Sequence, residues 1–135
     1  MLTVTRQAVK RKLRLTGTTY DAEIDALIDE MLPAIRYAIE PSVLSNPEAD
    51  LLSTLNLGAL EVIAGEFSAT LWREMGAGVG FRLGWLQVLP PQRYDPADPS
   101  GLKAQGWARL SPYLRREARL LYIARPKPEE DESRW

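Results

Sequence analysis

Three aspartates at four-residue spacing form the first pattern in this sequence that could support chemistry. Asp21, Asp25 and Asp29 lie on the side of a helical pattern opposite its apolar stripe. Carboxylate oxygens of this kind bind Mg²⁺ and Ca²⁺, although an acidic helix face is far more often simply solvated. We therefore expect no metal site and interpret the aspartates as surface residues.

A glycine run is the second candidate. Gly76, Gly78 and Gly80 alternate with small residues, as in loops that bind phosphate. A P-loop needs Lys and then Ser or Thr after its last glycine, whereas Phe81 and Arg82 stand here. A dinucleotide-binding loop follows a strand, whereas this run follows a helical pattern. The glycines therefore predict a flexible helix exit and no nucleotide cofactor.

Two residue types are absent from the 135 residues, histidine and cysteine. Their absence excludes disulfide scaffolds, cysteine nucleophiles, cysteine-containing zinc sites and histidine-based triads or metal sites. Only carboxylates, lysine, tyrosine or serine remain for catalysis, and no pattern indicates the cleft that a carboxylate pair needs. We expect a protein that is not an enzyme and has no cofactor.

Charge is arranged in alternating blocks although the net charge is only −1. Residues 1–20 are basic, 21–75 acidic, 76–128 basic and 129–135 acidic. Such blocks suit complementary contacts between copies, and they equally suit helices with solvated charged faces. Basic residues in 6–14 and 109–119 could contact phosphates, but the overall balance is unlike that of a dedicated DNA-binding protein.

Tryptophan is frequent, with four residues. Trp72 and Trp107 fall in helical patterns and are expected in the core. Trp85 lies in the glycine-rich segment and Trp135 in a charged tail. An exposed tryptophan there is a good anchor for a partner's pocket, with an unstructured end as the alternative.

Amphipathic periodicity predicts a mainly α fold, a small helical bundle in one domain over residues 1–125. Helices are expected over 5–13, over 20–39 with Pro33 inside, and over about 47–75. The last of these is nearly apolar all round, so it should be the central helix. Its polar residues follow one narrow edge that includes Asp50, Thr54, Glu61 and Ser68. Gly58 and Gly65 predict close approach of a neighbouring helix or a subunit contact.

The second half of the sequence shows a less regular pattern of apolar residues. Residues 76–101 predict a short extended or hairpin segment followed by a proline-rich loop. A helical pattern resumes over 102–110, and Ser111 and Pro112 either kink that helix or cap a new one reaching about Ala124. Residues 126–135 form a flexible acidic C-terminal tail.

Membrane and export signals are missing. No apolar run approaches the roughly 20 residues that span a bilayer, and residues 1–4 lack the apolar region of a signal peptide. We expect a protein made in the cytoplasm, with no membrane partner.

Taken in order, four segments resemble the head–tail connector family of tailed bacteriophages, also called adaptor or head-completion proteins. They are 2–15 (LTVTRQAVKRKLRL), 20–28 (YDAEIDALI), 84–88 (GWLQV) and 108–116 (ARLSPYLRR). They are similar to that family's short first helix, acidic second helix, short strand and a later helix. The similarity covers most of residues 1–116, and it is carried by the order and spacing of the segments.

The resemblance implies a structural virion protein at the head–tail interface. Family members assemble as a ring, dodecameric in the family, beneath the portal protein. They lengthen the channel through which double-stranded DNA passes without sequence-specific contact, and they dock a stopper or tail-completion protein. No catalytic residues carry over. The alternative is a small DNA-binding phage protein, similar to a terminase small subunit or a regulator; a carboxylate-based enzyme is a third possibility.

Two interface hypotheses follow from this resemblance. In the first, the acidic second helix contacts a basic surface of the neighbouring subunit; its candidate residues are Arg6, Lys10, Asp21, Asp25, Asp29, Arg115 and Arg119. In the second, residues 126–135 bind the portal and become ordered there. The candidate residues for partner binding are Trp85, Arg125, Lys127 and Trp135.

Overall fold

The computed structural model describes residues 1–74 and 98–117, together with the backbone of two short strands. Over these residues the chain forms five α-helices and one hairpin: α1 (Arg6–Leu13), α2 (Asp21–Ala38), α3 (Pro41–Ser45), α4 (Ala49–Glu74), β1 (Phe81–Leu83), β2 (Leu86–Val88) and α5 (Leu102–Leu110). The prediction of a mainly helical fold around a long central helix is confirmed. The remainder of the proline-rich loop and the predicted tail lie outside the described residues.

The central helix is α4, which is buried on nearly every side. Leu55, Ile63 and Trp72 are completely inaccessible to solvent, and α1, α2 and α5 all pack against α4. The predicted polar edge is exposed only in part. Glu61 and Ser68 are fully buried, because α5 covers this side of the helix.

Helix α5 lies unusually close to α4 because three glycines remove side chains from the contact. A Cβ atom built on Gly65 would lie 2.5 Å from the backbone nitrogen of Lys103. One on Gly106 would lie 2.7 Å from the carbonyl oxygen of Gly58. The predicted close approach at Gly58 and Gly65 is therefore confirmed as a contact between helices of one chain.

The start of α5 is fixed by the end of the proline-rich loop. The carboxylate of Asp98 accepts hydrogen bonds from the backbone N–H groups of Lys103 and Ala104, both at 3.0 Å. These are donors of the first helical turn, which have no partner within the helix. Gly101 occupies the residue before the helix with φ of 75°, a conformation that glycine adopts at little cost.

The helix expected after α5 is interrupted. Residues Ser111–Tyr113 form a 3-10 turn, and Leu114 then pairs with Ile39 in an isolated antiparallel bridge. The N–H of Glu40 donates to the carbonyl of Tyr113 at 2.9 Å, and the N–H of Arg115 donates to that of Ala38 at 2.7 Å. The chain thus leaves helical geometry at this point, and it is tied to the end of α2.

The expected hairpin is present. Strands β1 and β2 pair in antiparallel register, with Arg82 opposite Gln87. None of the helices in the described part of the chain is long and apolar enough to span a membrane.

Candidate functional site

Helices α1 and α2 are joined by a network of ion pairs, called here the α1–α2 ion-pair cluster. Arg6 contacts Asp21 at 3.1 Å and Asp25 at 2.9 Å, and the Lys10 ammonium group lies 2.9 Å from Asp21. Thr5 caps α1 by accepting from the N–H of Ala8 at 3.1 Å, which fixes the start of the helix that carries both bases. Four of the seven residues predicted for a subunit interface therefore contact one another within one chain.

The third aspartate stands apart for a geometrical reason. A four-residue step advances about 40° around a helix, so Asp21, Asp25 and Asp29 lie progressively further from the buried face of α2. The side chain of Asp21 is 17% exposed and that of Asp25 is 45% exposed. Asp29 is exposed to solvent. Asp29 is thus the one of the three that is exposed and has no ion pair in this cluster.

The ion-pair cluster changes the acidity of its members. The hydrogen bond and charge of Lys10, with help from Arg6, hold the pKa of Asp21 below its ordinary value of 3.8 although partial burial opposes this. The hydrogen bonds and charges of Asp25 and Asp21 raise the pKa of Arg6. Asp21 and Arg6 therefore stay ionised at neutral pH.

A second polar cluster, formed by Glu61, Gln105 and Arg109, lies between α4 and α5. The buried Glu61 carboxylate accepts from the Arg109 guanidinium group at 2.7 and 3.2 Å and from Gln105 at 2.5 Å. The hydrogen bonds and charge of Glu61 raise the pKa of Arg109. Arg109 therefore holds α5 against α4. This ion pair within the chain was not among the roles predicted for the basic residues of 109–119.

This cluster was not recognisable from the sequence. Glu61 was assigned to a polar helix edge, and its partners lie 44 and 48 residues further along the chain. The sequence offered two hints. Glu61 is the one acid in an otherwise apolar stretch of α4, and Arg109 follows Gln105 by one helical turn. Such a signal is weak, because ion pairs between helices have no fixed sequence spacing.

An open groove lies at the C-terminal end of α2, and is called here the Arg36–Arg115 groove. It has a volume of about 430 Å³. Its described walls come from the last turns of α2, from α3 and from Arg115, and the residues described there include two arginines and no carboxylate. The Nε atom of Arg36 is buried and has no acceptor among the described residues.

Arg115 is held at the edge of this groove by Tyr37. Its guanidinium carbon lies 4.3 Å from the centre of the Tyr37 ring, a cation–π arrangement, and its Nε atom donates to the Tyr37 carbonyl. Tyr37 itself is 71% exposed. Arg115 is not helical, and Arg119, predicted to lie one helical turn after it, is outside the described residues.

The exposed charges of the first two helices differ in sign. Helix α2 exposes the acids Asp29 and Glu30, whereas α1 and its C-cap expose the bases Arg11 and Arg14. On later segments exposed acids and bases are mixed, as at Arg116 and Glu117. Among the described residues, no group of three or more acidic side chains is placed to hold a metal ion.

Of the predicted aromatic residues, Trp72 is buried and Trp107 packs on the core, as expected. The residues predicted to bind a partner lie outside the described side chains, and so does Arg119 of the predicted subunit interface. They are Trp85, Arg125, Lys127 and Trp135.

Comparisons of this chain with protein-family models, with curated proteins and with solved structures found no match.

Proposed function

We propose that this protein is a head–tail connector of a tailed bacteriophage, located at the head–tail interface of the virion. It assembles as a ring under the portal protein, extends the DNA channel and docks the next stopper or tail protein. The proposal begins from the order of the four sequence segments that resemble the connector family. Its structural support is the difference in sign between the exposed charges of the first two helices, with the acids Asp29 and Glu30 on α2 and the bases Arg11 and Arg14 on α1 and its C-cap.

Ring assembly would use two surfaces of opposite charge on the same chain. A ring is built from contacts between two different surfaces of the same chain, and these must be complementary. Asp29 and Glu30 are exposed on α2 and provide one such surface. Arg6, Lys10 and Arg109 are already paired within the chain. Among the other described bases of 6–14 and 109–117, Arg11, Arg14 and Arg116 are exposed, and we assign the complementary surface to Arg11 and Arg14 or to Arg116.

Contact with the portal is the second part of the proposal. Residues 126–135 combine acids with Trp135, and a tryptophan that inserts into a partner's pocket is a frequent source of binding energy. We assign this segment to portal binding. Its deletion should reduce attachment to the portal and leave contacts between copies intact.

The decisive experiment measures molecular mass in solution. The protein alone and the protein mixed with the portal of the same phage are compared by native mass spectrometry. We expect a monomer alone and a closed ring on the portal. Absence of any complex, together with salt-sensitive binding to duplex DNA, would contradict the connector and favour the DNA-binding alternative. Measurable turnover that depends on a divalent metal would favour an enzyme.

A further inference from the structure

We propose that the Arg36–Arg115 groove binds the acidic segment 129–135 of the same chain when the protein is free in solution. The proposal goes beyond the connector function and does not depend on it. It concerns the isolated chain, and it assigns an occupant to a described surface.

The groove has the chemistry that an acidic peptide requires. Arg36 and Arg115 line it, and none of the other described lining residues is a carboxylate, so the described lining does not balance their positive charge. The buried Nε of Arg36 has no acceptor among the described residues. A buried donor in this state is costly, and a carboxylate that accepts from it forms a charge-assisted hydrogen bond.

The walls of the groove also suit an aromatic side chain that accompanies the carboxylates of an acidic peptide. Pro33, Pro41 and Leu44 provide apolar surface, and Tyr37 adds an exposed aromatic ring. Segment 129–135 reads EEDESRW, with four consecutive acids followed shortly by Trp135. Both its charge and its aromatic residue therefore match the groove.

The covalent connection favours the chain's own segment over that of another copy. The described chain ends at Glu117, two residues after Arg115, which lines the groove. Residues 118–128 span up to roughly 35 Å when extended. A short link of this kind gives an effective concentration in the millimolar range.

In this state the groove shields the acidic segment until a stronger partner competes for it. For a chain that also uses this segment to bind the portal, release from the groove would accompany attachment. The segment would then be held in the free protein, in contrast to the expectation that it becomes ordered only on the portal.

Disulfide trapping in the full-length chain tests the proposal directly, because the protein has no cysteine. Ser45→Cys places a thiol at the groove, and Ser133→Cys places one in the acidic segment. The control pair is Thr18→Cys with Ser133→Cys. Thr18 is exposed and precedes α2, whose length separates it from the groove by about 27 Å. Disulfide formation in oxidised glutathione is followed at low protein concentration by mass and non-reducing gel.

We call Ser45→Cys with Ser133→Cys the groove pair. We expect its disulfide to form within the monomer about tenfold faster than that of the control pair, because docking raises the local concentration of one thiol near the other. High salt should remove most of this advantage, because ionic contacts at the surface are screened. A variant with a neutral segment should lose the same rate advantage. In it, Glu129, Glu130 and Glu132 are changed to Gln and Asp131 to Asn. That variant changes no described residue, so its folding can be checked against the parent by circular dichroism.

Two results would overturn the proposal. One is equal closure rates for the groove and control pairs. The other is rapid formation of linked dimers when the Ser45→Cys and Ser133→Cys single variants are mixed, since that result would assign the groove to the segment of a second copy. Neither outcome bears on ring formation on the portal, so the connector function is tested separately.

Discussion

At the scale of single residues, the buried Glu61 is the side chain whose loss the structure predicts to matter most. It is fully buried and accepts from both Gln105 and Arg109. Glu61→Ala leaves both donors without their acceptor, and Arg109 without its counter-charge. We expect a loss of about 3 kcal/mol in the free energy of unfolding, measured with urea.

Glu66 is the matched control for this substitution, because it is also on α4 and pairs with a base on α5, Lys103, at 2.9 Å. Its side chain remains partly exposed, so Glu66→Ala should cost about 1 kcal/mol or less. Equal losses for the two variants would show that burial of Glu61 does not determine its contribution.

A second residue-scale prediction concerns Asp21 and pH. The folded state holds the pKa of Asp21 below its ordinary value of 3.8, chiefly through Lys10. The unfolded chain therefore takes up a proton before the folded chain does, and stability falls as the pH is lowered through and below this value. Above it, the contribution of Asp21 is fully present.

Urea unfolding between pH 3 and pH 6 measures this effect. The variant Asp21→Asn lacks the titrating group, so its stability should fall less steeply with acid than that of the parent. Asp29→Asn serves as the control, because Asp29 is exposed on the same helix, and it should keep the parental slope. If Asp21→Asn also keeps the parental slope, the ion-pair cluster contributes no pH-dependent stability.

At the scale of elements, the contact between α4 and α5 depends on glycine. Gly65→Ala would bring a Cβ atom to 2.5 Å from the backbone nitrogen of Lys103, the same N–H that donates to Asp98. Alanine favours a helix over glycine by about 1 kcal/mol, but overpacking against backbone costs about 1 to 3 kcal/mol and also disturbs the Asp98 cap. We expect a net destabilisation of about 1 kcal/mol.

The control for helix propensity is Ser53→Ala, at an exposed position of α4. Here the same new side chain meets solvent, so a gain of about 0.5 kcal/mol is expected. Chemical denaturation of both variants compares the two effects. A stabilised Gly65→Ala protein would mean that α5 can move away from α4 without loss.

The positions of the helices along the chain were largely predictable from the sequence, whereas the contacts between the helices were not. Apolar periodicity located α1, α2 and α4, and the two glycines of α4 indicated a close neighbour, because these are local patterns. The buried role of Glu61 and the turn away from helix at Leu114 depend on residues far apart in the chain. Leu114 leaves the helical pattern to pair with Ile39, and no local sequence signal specifies that pairing. For the same reason, the sequence did not predict that Arg6 and Lys10 form ion pairs with α2 of their own chain.

At the scale of the whole molecule, charge reversal tests the proposed ring contact. Asp25 is unsuitable, since its reversal would also break the ion pair with Arg6 inside the chain. The double variant Asp29→Lys with Glu30→Lys changes only exposed residues of α2. It places like charges against the basic surface of the neighbouring copy. We expect unchanged stability and a loss of ring formation on the portal, measured by native mass spectrometry.

Two further variants make this test specific. Glu74→Lys changes an exposed acid at the end of α4, where a basic residue is favourable for the helix, and it should leave ring formation intact. Reversal of Arg11 and Arg14, or of Arg116, to Glu in the Asp29→Lys, Glu30→Lys background should restore assembly if the chosen bases form the complementary surface. Restoration by one set and not the other identifies that surface, because a closed ring requires the same two surfaces to meet at every contact. Intact rings in the α2 double variant would exclude its outer surface from the contact.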